Sequence, residues 1–137
     1  MGPPTPELNS IVLTCGEPAG IAPEITAKAW LALRDTSAAA FFLIGDDDYF
    51  SSRAAVAGVS IATTKISTPG EAREIFPTSL PVLHRPLAAH PKPGIIDPAT
   101  ARGVIAAIDE GVAFIMAGTA AALVTNPIQK EALYAAA

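Results

Sequence analysis

The sequence is short of charge. Only 16% of its 137 residues are Asp, Glu, Lys or Arg, against about 25% in ordinary soluble domains. Either a partner or further chain covers part of the surface, or an alanine-rich surface is simply uncharged. Cationic residues are the scarcer sign, and the net charge is −4. No basic stripe is present to displace counterions, so nucleic-acid binding is not expected. Cys15 is the single cysteine, which excludes an internal disulfide framework and fits a reducing cytoplasm. It reads as a buried strand-end thiol, with a nucleophilic role as the alternative.

Targeting signals are also missing. Met1-Gly2-Pro3-Pro4-Thr5-Pro6 has no charged start followed by an apolar stretch, so it is not a signal peptide. Pro6 stands where myristoylation requires Ser or Thr. The one long uncharged stretch, Gly111 to Gln129, is interrupted by Gly118-Thr119 and closed by Asn126-Pro127. It reads as a helix end, a turn and a buried strand, and no membrane span is expected.

What is present is an apolar majority of 50%, which argues against disorder, and a length that fits one domain with a sizeable core. After a polar, proline-rich lead over residues 1–9, Ile11 to Cys15 is a continuous apolar run of the kind buried on both faces of a sheet. Pro23 suits a first helical turn, and a helix to about Arg34 puts Ile25, Ala29 and Leu33 on one face. Phe41 to Ile44 is a second buried strand. Asp46 caps a helix through about Ala57, and Val59 to Ala62 is a weaker third strand. Ser67 to Pro81 has little pattern. Pro81-Val82-Leu83 is a short strand, and Arg85 to Gly94 is an extended, proline-rich loop.

Asp97-Pro98 opens the clearest helix, with Val104, Ile108, Val112 and Ile115 along one face and a stop at Gly118. Ala120 to Thr125 is another buried strand, and Asn126-Pro127 opens a last helix. That helix reaches Ala137 with neither cap nor stop signal, so a truncated chain is expected. Alternating strands and helices imply a three-layer α/β/α sandwich with a mainly parallel sheet.

Parallel sheets bind ligands at the carboxyl ends of their strands, and two loops are expected there. The first is Gly16-Glu17-Pro18-Ala19-Gly20-Ile21-Ala22-Pro23-Glu24. It is neither a P-loop nor a dinucleotide fingerprint, and its two glutamates oppose a phosphate. Gly16, Glu17, Pro18 and Gly20 are therefore expected to line a cleft that contacts hydroxyls, a cation or an amide. The alternative is a strand-to-helix turn whose glycines only serve geometry. The second loop is Thr125-Asn126-Pro127-Ile128-Gln129-Lys130. A hydroxyl, a carboxamide and an ammonium meet a helix N-terminus there, as an anion or carbonyl site would need. An Asn-Pro helix start with a solvated lysine is the alternative. His84 and His90 stand six apart without metal-ligand spacing, so no metal ligand is expected in the chain. Asp46-Asp47-Asp48 reads as a cap and a solvated first turn rather than a ribose-holding acid.

The first loop resembles the opening motif of the 4-hydroxythreonine-4-phosphate dehydrogenase family, with Ala22 where the family has glycine. That motif in turn looks like the one in isocitrate and isopropylmalate dehydrogenases. The second loop is similar to the family's second signature, and Lys92-Pro93-Gly94 with the helix from Asp97 matches the segment between. The resemblance implies the N-terminal α/β portion of a two-domain dehydrogenase, with the C-terminal remainder outside residues 1–137. It implies oxidation and decarboxylation of a small phosphorylated substrate in pyridoxal phosphate (vitamin B6) synthesis, with NAD or NADP. It also implies a divalent metal cation whose histidine ligands lie outside this chain, and a cytoplasmic homodimer. Carried onto this sequence, Thr125, Asn126 and Lys130 become substrate-binding candidates, while no catalytic, cofactor or metal residue is assigned. Related four-carbon sugar-acid phosphate and dihydrodiol dehydrogenases share the resemblance. A non-catalytic module binding a small anion is the reading from another class.

Overall fold

A computed structural model describes residues 9–136. The proline-rich lead before Asn9 and the chain end at Ala137 lie outside the described residues. Five strands alternate with helices: β1 (Ile11–Thr14), α1 (Ala22–Leu33), β2 (Phe41–Gly45), α2 (Asp47–Val56), β3 (Thr63–Lys65), α3 (Ala72–Ile75), β4 (Leu80–His84), α4 (Ala101–Met116), β5 (Ala122–Thr125) and α5 (Lys130–Ala136). The strands form one sheet in the order β3-β4-β2-β1-β5, and every pairing is parallel. All carboxyl ends therefore share one edge.

The period-two alternation of a strand divides the core. Leu13, Phe41, Leu43 and Val82 point to the face covered by Trp30 of α1 and Phe50 and Ala54 of α2. Val12, Phe42, Ile44 and Leu83 point to the opposite face, with Ala72 of α3 and Ala107 of α4. This is the expected α/β/α sandwich. Phe42 and Ile44 are fully enclosed, each worth roughly 1.5–3 kcal/mol in apolar burial. Trp30 joins the layers by donating its indole N–H to the Phe76 carbonyl at 2.8 Å.

Several local expectations are corrected. The buried side of α1 is Pro23, Thr26, Ala27 and Trp30, not Ile25, Ala29 and Leu33. Both stripes are apolar, and the second borders an open groove with Ile11 and Val124. In α4 the buried stripe is Ala101, Val104, Ala107 and Gly111, and Val112 is exposed. Small residues let this helix lie close to the sheet: a Cβ on Gly111 would stand 2.9 Å from Leu123 Cδ1.

The third strand begins at Thr63, since Val59 and Ile61 act as half-buried packing before it. Pro69–Glu71 forms a 3₁₀ turn with a capping box from Thr68, leading into α3, which the sequence pattern does not show. Asp97 caps a 3₁₀ turn, Pro98–Thr100, ahead of α4. At the far end Gly118, with φ of 75°, closes α4, its amide donating to Ile115 and that of Thr119 to Phe114. That pattern satisfies the last carbonyls.

β5 is mostly exposed rather than buried, because among the described residues it is an edge strand. No described helix is long and apolar enough to cross a membrane.

Candidate functional site at the carboxyl edge of the sheet

β1 and β5 run side by side, with Thr14 opposite Thr125, so the loops that follow them leave the sheet together. They are joined directly. Glu17 N–H donates to the Pro127 carbonyl at 2.8 Å. Gly16 has φ of 66°, and a Cβ there would lie 2.6 Å from Asn126 Cβ and 2.7 Å from the Pro127 oxygen. Glycine is required twice over, for the backbone conformation and for the close approach.

Asn126 is the clamp on the other side. Its buried amide donates to the Thr14 carbonyl at 2.9 Å and to Thr26 Oγ1 at 3.0 Å. The carboxamide expected to face a ligand is thus engaged with β1 and α1, locking the loop from behind.

A third segment completes the wall: Gly94 N–H donates to the Ala19 carbonyl at 2.8 Å. Between these loops lies a cleft of about 320 Å³, whose lining includes Glu17, Gly20, Gly94, Pro127 and Gln129. Glu17 is 9% exposed, and its Oε1 accepts the Ala19 N–H at 3.1 Å. Of the other residues expected at the cleft, Gly16 and Pro18 are buried, supporting the loop rather than lining the space.

Lys130 and Thr125 are exposed, at the same edge. The last helix starts at Lys130 itself, not at Pro127, so Lys130 does not sit a turn inside it. Asn126 is spent on β1 and α1 and does not cap it. Gln129, one residue earlier, lines the cleft.

The first loop is also braced from α2. Arg53 donates through Nη2 to the Gly20 carbonyl at 2.7 Å and through Nη1 to the Pro18 carbonyl and to Tyr49 Oη at 2.9 Å. The Tyr49 hydroxyl lies 2.9 Å from the Pro18 oxygen and 2.7 Å from the Pro91 oxygen. A single hydroxyl proton serves one of these carbonyls at a time. Sequence reasoning missed both residues, because a helical Arg and Tyr carry no motif; only their spacing of four, on one helix face, hints at joint action.

Asp46 does cap α2, accepting Tyr49 N–H at 3.1 Å. Its other oxygen accepts Leu87 N–H at 3.0 Å and meets His90 Nε2 at 3.0 Å. Burial pushes this carboxyl up, but the Leu87 and Tyr49 amides and His90 outweigh it and hold it below its ordinary value. Asp46, Asp48 and His84 place ligand atoms within 4.8 Å of one another. They fit a resident divalent cation poorly, because both Asp46 oxygens are engaged and His84 Nδ1 accepts Asp47 N–H at 3.0 Å. With Asp46 so committed, it is not free to hold a ribose. Burial pushes the Cys15 thiol up to about 11, so at neutral pH it is a protonated packing residue, not a nucleophile.

Comparison with known proteins adds identity to this geometry. A family profile described as pyridoxal phosphate biosynthetic protein PdxA matches residues 37–137. The 4-hydroxythreonine-4-phosphate dehydrogenase of Roseobacter denitrificans is 41% identical over 129 residues, covering 94% of this chain and 37% of the relative. The enzyme of the same name from Bradyrhizobium diazoefficiens is 39% identical over 134 residues, covering 92% of this chain and 39% of the relative. The chain thus spans a little over a third of the length of these relatives. A solved 4-hydroxythreonine-4-phosphate dehydrogenase from Klebsiella pneumoniae superposes with a TM-score of 0.76 at 26% identity, over 93% of this chain and 40% of that one. One from Burkholderia phymatum, at 22% identity and a TM-score of 0.82 over 93% of this chain and 39% of that one, shares the fold.

Proposed function

This chain belongs to the pyridoxal phosphate biosynthetic protein PdxA family, and on that premise we propose that it forms the N-terminal α/β portion of a two-domain 4-hydroxythreonine-4-phosphate dehydrogenase. The observation that carries the proposal is the joined pair of loops, Gly16–Gly20 and Thr125–Lys130, forming one wall of a cleft at the carboxyl edge of the sheet. Ligands of open parallel sheets bind at that edge.

In the proposed reaction the carbon bearing the substrate hydroxyl gives a hydride to NAD or NADP, and the hydroxyl proton is released. The product is a ketone β to the carboxylate, which then loses carbon dioxide. The described residues contribute a rigid wall: Glu17, Gly20 and Gln129 face the cleft, Thr125 and Lys130 stand as substrate contacts at its β5 end, and Asn126 fixes both loops. A divalent cation supplies Lewis acidity for such an oxidation. No step is assigned here to a metal held by this chain, because the Asp46, Asp48 and His84 group fits one poorly. We place the full-length enzyme in the cytoplasm as a homodimer, with a small phosphorylated amino acid as substrate and without nucleic-acid or membrane partners. The low charge content of this portion is consistent with cover from a second domain and subunit.

Complementation tests the proposal in cells. The full-length protein should restore growth without added pyridoxal to a bacterium whose own 4-hydroxythreonine-4-phosphate dehydrogenase gene is deleted. No growth, with the protein present and soluble, contradicts it.

A further inference from the structure

Glu17 is the anomaly of the cleft. It is 9% exposed, and its described contact is the N–H of Ala19, two residues on. It belongs to none of the ion pairs among the described residues. The guanidinium that touches its loop, Arg53, is directed at the Pro18 and Gly20 carbonyls instead. The Glu17 carboxylate thus lines the cleft with one backbone N–H for a partner and no cation beside it, an acceptor for a charge-assisted hydrogen bond from a ligand.

The remaining cleft residues named above, Gly20, Gly94, Pro127 and Gln129, carry no charge. The wall around Glu17 is therefore complementary to a cation and repels an anion. On a phosphorylated hydroxy amino acid the phosphate and the carboxylate are anionic, and the α-ammonium alone is cationic.

We propose that Glu17 is the binding site for the α-ammonium of the substrate, so that the Gly16–Gly20 loop selects an amino acid over the corresponding deamino compound. The proposal rests on the dehydrogenase reading for the identity of the ligand. It rests on the cleft-lining carboxylate with no cation beside it for the site. The loop construction supports it: the Pro127 carbonyl holds the Glu17 N–H, while Arg53 holds the Pro18 and Gly20 carbonyls and Gly94 the Ala19 carbonyl that follow it, so the loop carrying the carboxylate is fixed in place.

The test is calorimetric titration of the full-length protein with 4-hydroxythreonine 4-phosphate and with its deamino analogue. Glu17→Gln keeps the shape and an acceptor for Ala19 N–H while removing the charge. It should weaken binding of the amino compound by about ten- to hundredfold, the loss of one charge-assisted hydrogen bond. Binding of the deamino analogue should change by less than about twofold, with the melting temperature held. Equal weakening of both ligands, no weakening of either, or a loss confined to NAD binding overturns the proposal. The last outcome would assign Glu17 to the cofactor. Titration needs no turnover, so a protein that shows the expected pattern yet never reduces NAD refutes the dehydrogenase reading and leaves the ammonium site standing.

Discussion

Gly16 and Asn126 are packed so tightly that a single methyl group on Gly16 would stand 2.6 Å from the Asn126 Cβ. Through that contact the two loops, more than a hundred residues apart in sequence, behave as one surface. Gly16→Ala meets both the left-handed backbone and the facing loop. The backbone costs about 1–2 kcal/mol and the overpacking about 1–3 kcal/mol, so urea unfolding should show a loss of about 2–5 kcal/mol. A loss under about 1 kcal/mol would mean that the loops separate easily.

Asn126→Leu removes the side-chain donors to Thr14 and Thr26, leaving the Thr26 hydroxyl without this donor and the Thr14 carbonyl with only the longer backbone bond from residue 126 at 3.4 Å. Leaving buried polar groups unpaired costs about 1–3 kcal/mol each. Thermal unfolding should fall accordingly, and crystal structures should show the second loop displaced. An unchanged melting temperature would remove Asn126 from its role as a clamp.

Arg53→Lys tests the brace from α2. A lysine keeps the charge but lacks the fork that reaches two carbonyls together. Hydrogen exchange at the Gly20 and Gly94 amides, both bonded within this loop cluster, should accelerate in both Arg53→Lys and Arg53→Ala. Full protection in the lysine variant would show that charge alone suffices.

Much of this was legible in sequence because the determinants are local. Phe41 to Ile44 is apolar on both faces and becomes a central strand; Asp46 caps the helix it precedes; Gly118 ends the helix it follows. The errors arise where tertiary packing chooses between equivalent options. α1 carries two apolar stripes, and the position of β2 and α2, not the stripe itself, decides that Trp30 is the buried one. β5 reads as an interior strand because its residues are apolar, although it lies at the edge of the described sheet. The two loops were expected to share an edge, and they do; that Asn126 would turn inward and Gln129 outward depends on contacts with Thr14 and Thr26 from the other end of the chain.

Asp46 gives a pH signature. Its carboxyl is held below the ordinary value of 3.8 in the folded state, so the stability it contributes is complete above that value and is lost as pH falls through the lower native one. Asp46→Asn should destabilise the protein at neutral pH, and the gap to wild type should close steadily below about pH 4. A gap that stays constant down to pH 2 would show that Asp46 acts only by shape.

In the proposed function Lys130 is a substrate contact at the end of β5, beside Gln129, which lines the cleft. In the full-length enzyme Lys130→Ala should lower kcat/KM by about ten- to hundredfold through loss of a charge-assisted contact. Gln129 lines the cleft, so its alanine variant is no silent control and should cost about two- to tenfold, as a neutral hydrogen bond does. Activity unchanged in Lys130→Ala would return that residue to the solvated surface.

The most direct measurement follows reduced nicotinamide by its absorbance, with 4-hydroxythreonine 4-phosphate, NAD or NADP, and a divalent cation supplied. The full-length protein should form reduced cofactor in proportion to enzyme, and residues 1–137 alone should form none above a no-protein control. Absence of turnover by the full-length protein with either cofactor, or turnover by the isolated 137-residue chain, would contradict the assignment of this chain as one wall of a dehydrogenase cleft.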